Sequence, residues 1–524
     1  MKKLLSIILC FVLLLSLIAC GGNDKPAAVN AQDGLAATSE SSGTNNAPEA
    51  EEKIRDTIKI GVANNPPGFD PQNYAEASSM TMPNILIWET LVTMNFDTGA
   101  YDPCLAESWE QPVPTEYVFH LRQGVKFHDG SDFDADDVLY TYNRGKDLAV
   151  SAGHMANIEK VEKIDKYTVK ITLKAASPVF FVDLSNINFS IIPDGSDDSL
   201  ANNPNGTGPY KLKDQVADSS VTFERFDEYW GGIENHPSKF IRFIVMPDVS
   251  ARIMALEAGD VDVAYQTQAS DVDTINANPD LLSVARTSTR MFTMFFNVTE
   301  APFDDPHVRA AIAYAIDRQN IIDGAYSGYP VKIFNFVLDT DFGAAQDAIK
   351  RDYDLEAAKA ELAKSAYPDG FTFTVHTTKS QVLASQIIQY SLSQIGITME
   401  IDPISSVFDY GRRGYEGALF TVYGNNTGDA GPILSQYIRT GATNNVMGYS
   451  NAEADALIDA ASVETDTAKR AEMLQKANAM AIEDQAILPL YSDNVYVGIW
   501  KNRVKGIVMN PAGPHNYSTW YVVD

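Results

Sequence analysis

Tyr117-Val118-Phe119-His120-Leu121-Arg122-Gln123-Gly124-Val125-Lys126-Phe127-His128-Asp129-Gly130, followed by Phe133-Asp134-Ala135-Asp136-Asp137-Val138, is the stretch on which the reading of the fold turns. Tyr117–Leu121 has the pattern of a strand, and Phe127-His128-Asp129-Gly130 that of a turn. Asp134–Arg144 opens on acidic residues and carries Val138, Leu139 and Tyr142 at helical spacing. Strand therefore gives way to helix within about twenty residues, and the same alternation continues outward. Thr57–Val62 is an alternating strand, and Tyr167–Leu173, Val221–Phe226 and Ile241–Val245 follow. Helices are expected at Val249–Ala258 (stopped by Gly259), Val308–Arg318, Leu355–Ala363, Leu383–Ile395 and Lys469–Glu483. Strands and helices without a strict βαβ rhythm predict an α/β chain with mixed sheets, and no repeat of 20–50 residues is visible.

The N-terminus reads differently. Met1-Lys2-Lys3 precedes an apolar run from Leu4 to Ala19. That run is shorter than the roughly 20 residues needed to cross a bilayer comfortably, and its basic start is that of a secretory signal, expected over 1–19. Leu17-Ile18-Ala19-Cys20 resembles a bacterial lipobox, which would make Cys20 lipidated and the first residue of the mature chain. Residues 20–55 are poor in large apolar side chains and are expected to form a disordered tether. The protein is then expected to be held on the extracytoplasmic face of the cell membrane by its lipid alone.

The remaining 470 or so residues suffice for two to four domains, at about 100–200 residues each. Of three cysteines, Cys10 lies in the signal and Cys20 would carry lipid, so Cys104 has no disulfide partner within the mature chain. The net charge of −29 repels nucleic acid and anionic headgroups. There is no Gly-x-Ser-x-Gly elbow, phosphate loop or His-Glu-x-x-His, and no histidines paired at metal-ligand spacing. His128 fits a structural place in its turn. These observations disfavour hydrolytic and cofactor chemistry, and no cofactor is expected.

Leu105-Ala106-Glu107-Ser108-Trp109-Glu110, the Tyr117–Gly130 and Phe133–Val138 stretches, Gly206-Thr207-Gly208-Pro209-Tyr210-Lys211-Leu212 and Tyr229-Trp230-Gly231-Gly232 occur in that order. Ala255–Asp262, Pro302–Asp305, Ala313–Arg318 and Tyr367-Pro368-Asp369-Gly370-Phe371 follow. Together they resemble the large solute-binding proteins of ABC importers that take up dipeptides, oligopeptides and nickel chelates. The resemblance implies a periplasmic-binding-protein-like fold of type II, cluster C: a two-lobed clamshell with an extra inserted domain. Lobe I would comprise 56–88, 202–290 and 491–524, the inserted lobe II 89–201, and lobe III 291–490. Chain crossings near 290 and 490 would act as hinges, with solute held between lobes I and III. The partners implied are a small peptide, a membrane permease and its ATPases, and the protein is expected to be a monomer. Trp109, Tyr229 and Trp230 read as packing anchors.

The family's peptide binders hold the peptide amine with an aspartate in a Trp-Thr-Gly-Asp-like context, which falls here on Asn426-Thr427-Gly428-Asp429. Asp429 either supplies that charge-assisted contact or caps the helix beginning near Pro432; the sequence leaves both open. Asn426 replaces the expected aromatic, and Tyr423 stands where some members carry arginine, so Tyr423, Asn425, Asn426 and Thr427 suit a neutral polar solute as well as a peptide. Backbone pairing to an extended peptide is also open to this stretch. Asn65 lies where the family places a cleft-facing loop. Trp88, Phe292 and Met294 are candidate apolar walls, and Lys379, Arg412 and Arg413 candidate partners for a solute carboxylate. The competing readings are a nickel chelate, an opine or a sugar oligomer as solute, a sensor of peptide signals, and a lipid-anchored hydrolase.

Overall fold

The computed structural model describes residues 53–511 and 515–524 and the strand Val29–Asn30, apart from positions 65, 67, 74–81, 96–99 and 197. The expected signal, Cys20 and Asn65 lie outside the described residues, as does most of the expected tether; within it, Val29–Asn30 pairs in parallel with Val284 and Ala285.

Two long strands organise the molecule. Leu281–Phe296 and Ile487–Trp500 run antiparallel, from Leu281 opposite Trp500 to Phe295 opposite Ile487. At about 3.4 Å per residue, the first spans roughly 50 Å, enough to serve two lobes. On one side Val263–Thr267, Thr57–Val62 and Phe240–Val245 add in parallel to one another, followed by the antiparallel Ser220–Arg225 and Tyr210–Val216. On the other, Ala418–Gly424 pairs antiparallel with Leu281–Phe296, then Thr372–Thr377 and Thr398–Pro403 run parallel to it. The result is a two-lobed α/β fold with mixed sheets. Crossover helices connect its parallel strands: Val382–Ser393 joins the neighbours Thr372–Thr377 and Thr398–Pro403, and Val249–Ala258 joins Phe240–Val245 to Val263–Thr267, on either side of Thr57–Val62.

Alternation along Leu281–Phe296 sets the layers of the second lobe. Phe292, Met294 and Phe296 point into a core made with helices Pro306–Ala315, Leu355–Leu362 and Val382–Ser393. Met291 and Phe295 point to the opposite face, against Ala452–Ala461 and Thr467–Asp484. With both faces covered, the second-lobe part of the strand, Met291–Phe296, is apolar apart from the buried Thr293.

The third unit is a four-stranded antiparallel sheet, Ala106–Val113, Glu116–Leu121, Thr168–Leu173 and Ile158–Asp165, with helix Ala135–Asp147 against it. Tyr117, Phe119 and Leu121 enter its core together with Val138 and Tyr142, as their spacing predicts. Asp134 is the helix N-cap and forms a capping box with Asp137. Gly206 and Gly208 of the first lobe hold this unit through His128, whose amide donates to the Gly206 carbonyl oxygen at 2.9 Å, and both glycines pack closely on Leu86 and Ile87 of their own lobe. A Cβ at Gly206 would lie 2.0 Å from the Ile87 carbonyl oxygen, and one at Gly208 2.6 Å from that of Leu86. His128 Nε2 lies 2.9 Å from the Gly208 carbonyl oxygen, its ring edge-on to Phe226, and burial lowers its pKa to about 4. It is a neutral joint in its turn.

One predicted helix is broken. Val308–Arg318 resolves into Pro306–Ala315 and Arg318–Tyr326, because Asp317 accepts a hydrogen bond from the Asn320 amide and caps a second helix.

Candidate functional site: a cleft over the crossing strands

The register places the cleft. In the second lobe, Ala418–Gly424 ends opposite Arg290, and its parallel neighbour Thr372–Thr377 ends at the same edge. In the first lobe, Thr57–Val62 and Val263–Thr267 run the other way, with Thr267 opposite Tyr496. The carboxyl ends of both parallel sets therefore converge on the middle of the crossing strands, and ligands of open α/β sheets bind beyond such ends. There the ladder is interrupted. Thr287 pairs with Asn494 and Met291 with Ser492, leaving Ser288, Thr289 and Arg290 opposite Asp493 alone. This bulge is the floor of the candidate cleft that the register marks out. Arg290 is exposed, lies 5.7 Å from the Phe292 ring, and makes no ion pair with a described residue. Burial raises the pKa of Asp493, partly offset by Arg290.

Asn425–Asp429 forms the rim. The Asn425 amide donates to the Thr289 carbonyl oxygen, and Thr289 Oγ1 donates to Asn426 Oδ1 at 2.8 Å. Asn425 Nδ2 donates to Asp341 Oδ2 at 2.7 Å, while Asn425 Oδ1 accepts from the Thr427 hydroxyl at 2.6 Å. Gly428 adopts a left-handed φ of 64°, where a side chain is strained; its carbonyl accepts from the Phe342 amide, and the Phe342 carbonyl accepts from the Ala430 amide. Burial, with Asp429 nearby, raises the Asp341 pKa to about 6, although the Asn425 hydrogen bond opposes the shift. Every turn of this loop is thus held by hydrogen bonds of its own.

Asp429 has two partners. It caps the helix Ala430–Ile433, accepting from the Gly431 amide at 2.7 Å. It also receives a two-pronged ion pair from Arg470: Nη1 to Oδ2 at 2.6 Å and Nη2 to Oδ1 at 3.0 Å. Arg470 is 5% exposed, donates through Nε to the Ala461 carbonyl oxygen and lies over the Phe342 ring. The cap foreseen for Asp429 is present, and its carboxylate already faces an internal cation.

Four residues expected at the cleft lie in the cores. Met294 is fully buried, and Phe292 stacks on Tyr491 with ring centroids 4.7 Å apart, because alternation turns both into the second lobe. Trp88 is buried in the first-lobe core, with Nε1 donating to the Phe69 carbonyl oxygen. Tyr423 is buried too, and its hydroxyl donates to the Phe336 carbonyl oxygen at 2.7 Å; it offers no hydroxyl to a solute. Lys379 is exposed on the turn after Thr372–Thr377, at the same edge as Asn425–Asp429, and has no ion pair with a described residue. Arg412 is exposed and donates to Asn444; Arg413 donates to the Asp409 carbonyl oxygen.

Arg290, Asp341 and Arg470 were missed. Arg470 had a signal. With Leu474, Ala477 and Ala481 it continues the buried stripe of one helix, and an arginine on such a stripe calls for a buried acceptor.

The chain matches the model for bacterial extracellular solute-binding proteins, family 5 middle, over residues 100–445. It is 28% identical to the heme-binding protein A of Haemophilus influenzae, over 93% of this chain and 96% of that one. It is 27% identical to the dipeptide-binding protein of Escherichia coli, over 86% and 92%. An ABC-transporter-associated periplasmic binding protein of Helicobacter pylori, solved with the peptide STSA, superposes with a TM-score of 0.71 at 25% identity, covering 89% of this chain and 98% of that one. A cleft between two sheet halves, a three-unit architecture and these likenesses agree: the chain belongs to the bacterial extracellular solute-binding proteins of family 5, which serve ABC importers.

Proposed function

We propose that this protein captures peptides in the cleft between its two main lobes and delivers them to an ABC permease. It does so as a monomeric lipoprotein anchored through Cys20 on the extracytoplasmic face of the membrane. The observation that carries the reading is the convergence of both sets of strand ends on the bulge Ser288–Arg290, beside a rim of peptide and amide groups at Asn425–Asp429. Polar backbone at a rim suits an extended peptide, which brings its own unpaired N–H and C=O groups. Lys379 and Arg290 are the cations positioned for its carboxylate. The relatives named for dipeptides and crystallised with a peptide support this choice of solute.

Calorimetry with di-, tri- and longer peptides tests it. Peptides with a free carboxylate should bind, and Lys379→Gln or Arg290→Gln should weaken them by about 1–3 kcal/mol, the range of a charged hydrogen bond. C-terminally amidated peptides should lose the same amount on the unmodified protein and nothing further on the responsible variant. If no peptide binds and none is found by mass spectrometry of the purified protein, the peptide reading is wrong.

A further inference from the structure

Beside the rim lies a cavity of about 380 Å³. Its walls come from two units distant in sequence. The inserted unit supplies Pro178, Val179 and Val182, from the short helix Phe180–Leu184 and its approach. The second lobe supplies Pro432, Ile458 and Leu474. The two sides meet over the candidate site. A Cβ on Gly428 would lie 3.1 Å from Met94 Cε of the inserted unit, and Tyr101, opposite Met94 in the antiparallel pair Val92–Met94 and Tyr101–Pro103, lies close enough to feel the charges of both Asp429 and Asp183.

The cavity is continuous with the rim, because Thr427 and Gly431, on either side of Asp429, also line it. Arg470 stands in its wall, but the guanidinium is taken by Asp429 and by the Ala461 carbonyl oxygen. What the cavity offers is therefore aliphatic surface around a neutralised ion pair, interspersed with the polar side chains of His154, Asp183, Asn186, Ser435 and Gln436. Its volume falls near the small end of ligand pockets, about 300–1,000 Å³, so it holds part of a solute rather than a whole oligopeptide.

We propose that this cavity is a side-chain subsite, roofed by the inserted unit, that takes one large apolar residue of a peptide held at Asn425–Asp429. The proposal rests on the peptide reading and adds a specificity to it. The inserted unit then selects the solute directly, through Val182 and its neighbours.

The test compares tri-alanine with tripeptides carrying a single Phe at each position, by calorimetry, on the full protein and on Val182→Trp, which fills the cavity. Burial of one large apolar side chain corresponds to at least about tenfold in affinity. One Phe position should show that preference on the unsubstituted protein, and Val182→Trp should erase it while leaving tri-alanine binding within about threefold. Indole serves as a second probe, free of peptide groups. Saturation-transfer NMR should detect it on the unsubstituted protein and not on the variant. Ser435→Trp fills the cavity from the opposite wall and replaces Val182→Trp if that variant unfolds. A Phe preference or an indole signal that survives in the filled variants overturns the subsite, as does the absence of both from the unsubstituted protein. Peptides that fail to bind while indole does so, and is lost on filling, overturn the peptide reading alone.

Discussion

Removing the Arg470 cation should damage the protein's stability before it damages binding. Arg470 and Asp429 are 5% and 9% exposed, and two hydrogen bonds of 2.6 and 3.0 Å join them. Arg470→Met leaves the carboxylate with the Gly431 amide as its remaining partner from this pair of contacts. Breaking a buried pair from one side costs about 3–5 kcal/mol, because the survivor is an uncompensated charge. Asp429→Asn keeps an oxygen for the Gly431 amide but leaves Arg470 unpaired, at a cost of about 3 kcal/mol. In the double variant no charge is stranded, the cap survives and methionine fills most of the arginine's space. Its loss should be smaller than either single loss, giving a coupling of about 2–3 kcal/mol. Urea unfolding followed by tryptophan fluorescence reads all four proteins. Calorimetry on the same set separates the roles. Arg470→Met should strengthen binding of a free-amine peptide relative to its N-acetylated form, since the carboxylate loses its internal competitor. An Asp429→Asn variant with an unchanged unfolding midpoint and abolished peptide binding would refute the reasoning and return Asp429 to the solute.

Three further outcomes follow from other contacts. Asp341 has a folded pKa of about 6 against an ordinary 3.8, so the folded state binds the extra proton between those values. Stability from this group is greatest below about pH 4 and falls as pH rises toward 6. Asp341→Asn should match the unsubstituted protein at pH 4 and exceed it by up to about 2–3 kcal/mol at pH 7, read as urea midpoints across that range. Gly206→Ala forces a Cβ to within 2.0 Å of a backbone oxygen that cannot yield and should cost at least about 1–3 kcal/mol, seen as a lowered thermal midpoint. Glu89 accepts from Thr207 Oγ1, Tyr229 Oη and Trp230 Nε1. Glu89→Ala strands these donors at about 1–3 kcal/mol each where they stay dry, and should loosen the inserted unit from the first lobe, detectable as faster hydrogen exchange in residues 104–122.

Local pattern carried much of the fold. Thr57–Val62 and Val249–Ala258 are read directly from alternation and from a glycine stop. Pattern failed where two signals compete. Within Val308–Arg318 the apolar spacing runs on through Ile316, and only the capping chemistry of Asp317 reveals the break. It failed again where both faces of a strand are buried. Phe292 and Met294 sit in a run whose alternation separates two cores rather than core from cleft, so sequence could not say that neither faces a solute. The loop Asn425–Asp429 was legible as a place, from its resemblance to a family motif. Its partners were not, since Arg470, Asp341 and Phe342 lie 41 to 88 residues away from it, and nothing local in a sequence encodes such distances.

The geometry assigns different mechanical parts to the rim and the floor. The rim loop is tied to Asp341 and Phe342 on one side and Arg470 on the other, so it presents its groups in a fixed arrangement, and binding there costs little ordering. The floor is the opposite case. Three residues face one across the bulge, ladder bonds are missing, and the two lobes are joined through the same pair of strands. Bending concentrates where pairing is weakest, so closure should turn about Ser288–Arg290 and Asp493 while each lobe moves as a body. The inserted unit is fixed to the first lobe through Gly206, Gly208 and Glu89, yet Met94 and Tyr101, on its paired strands Val92–Met94 and Tyr101–Pro103, reach the second lobe's rim. Any closure of the lobes must therefore change the fit of Met94 and Tyr101 against Gly428 and Asp429, and a solute that seats well there stabilises the closed form by the difference in its contacts between the two states.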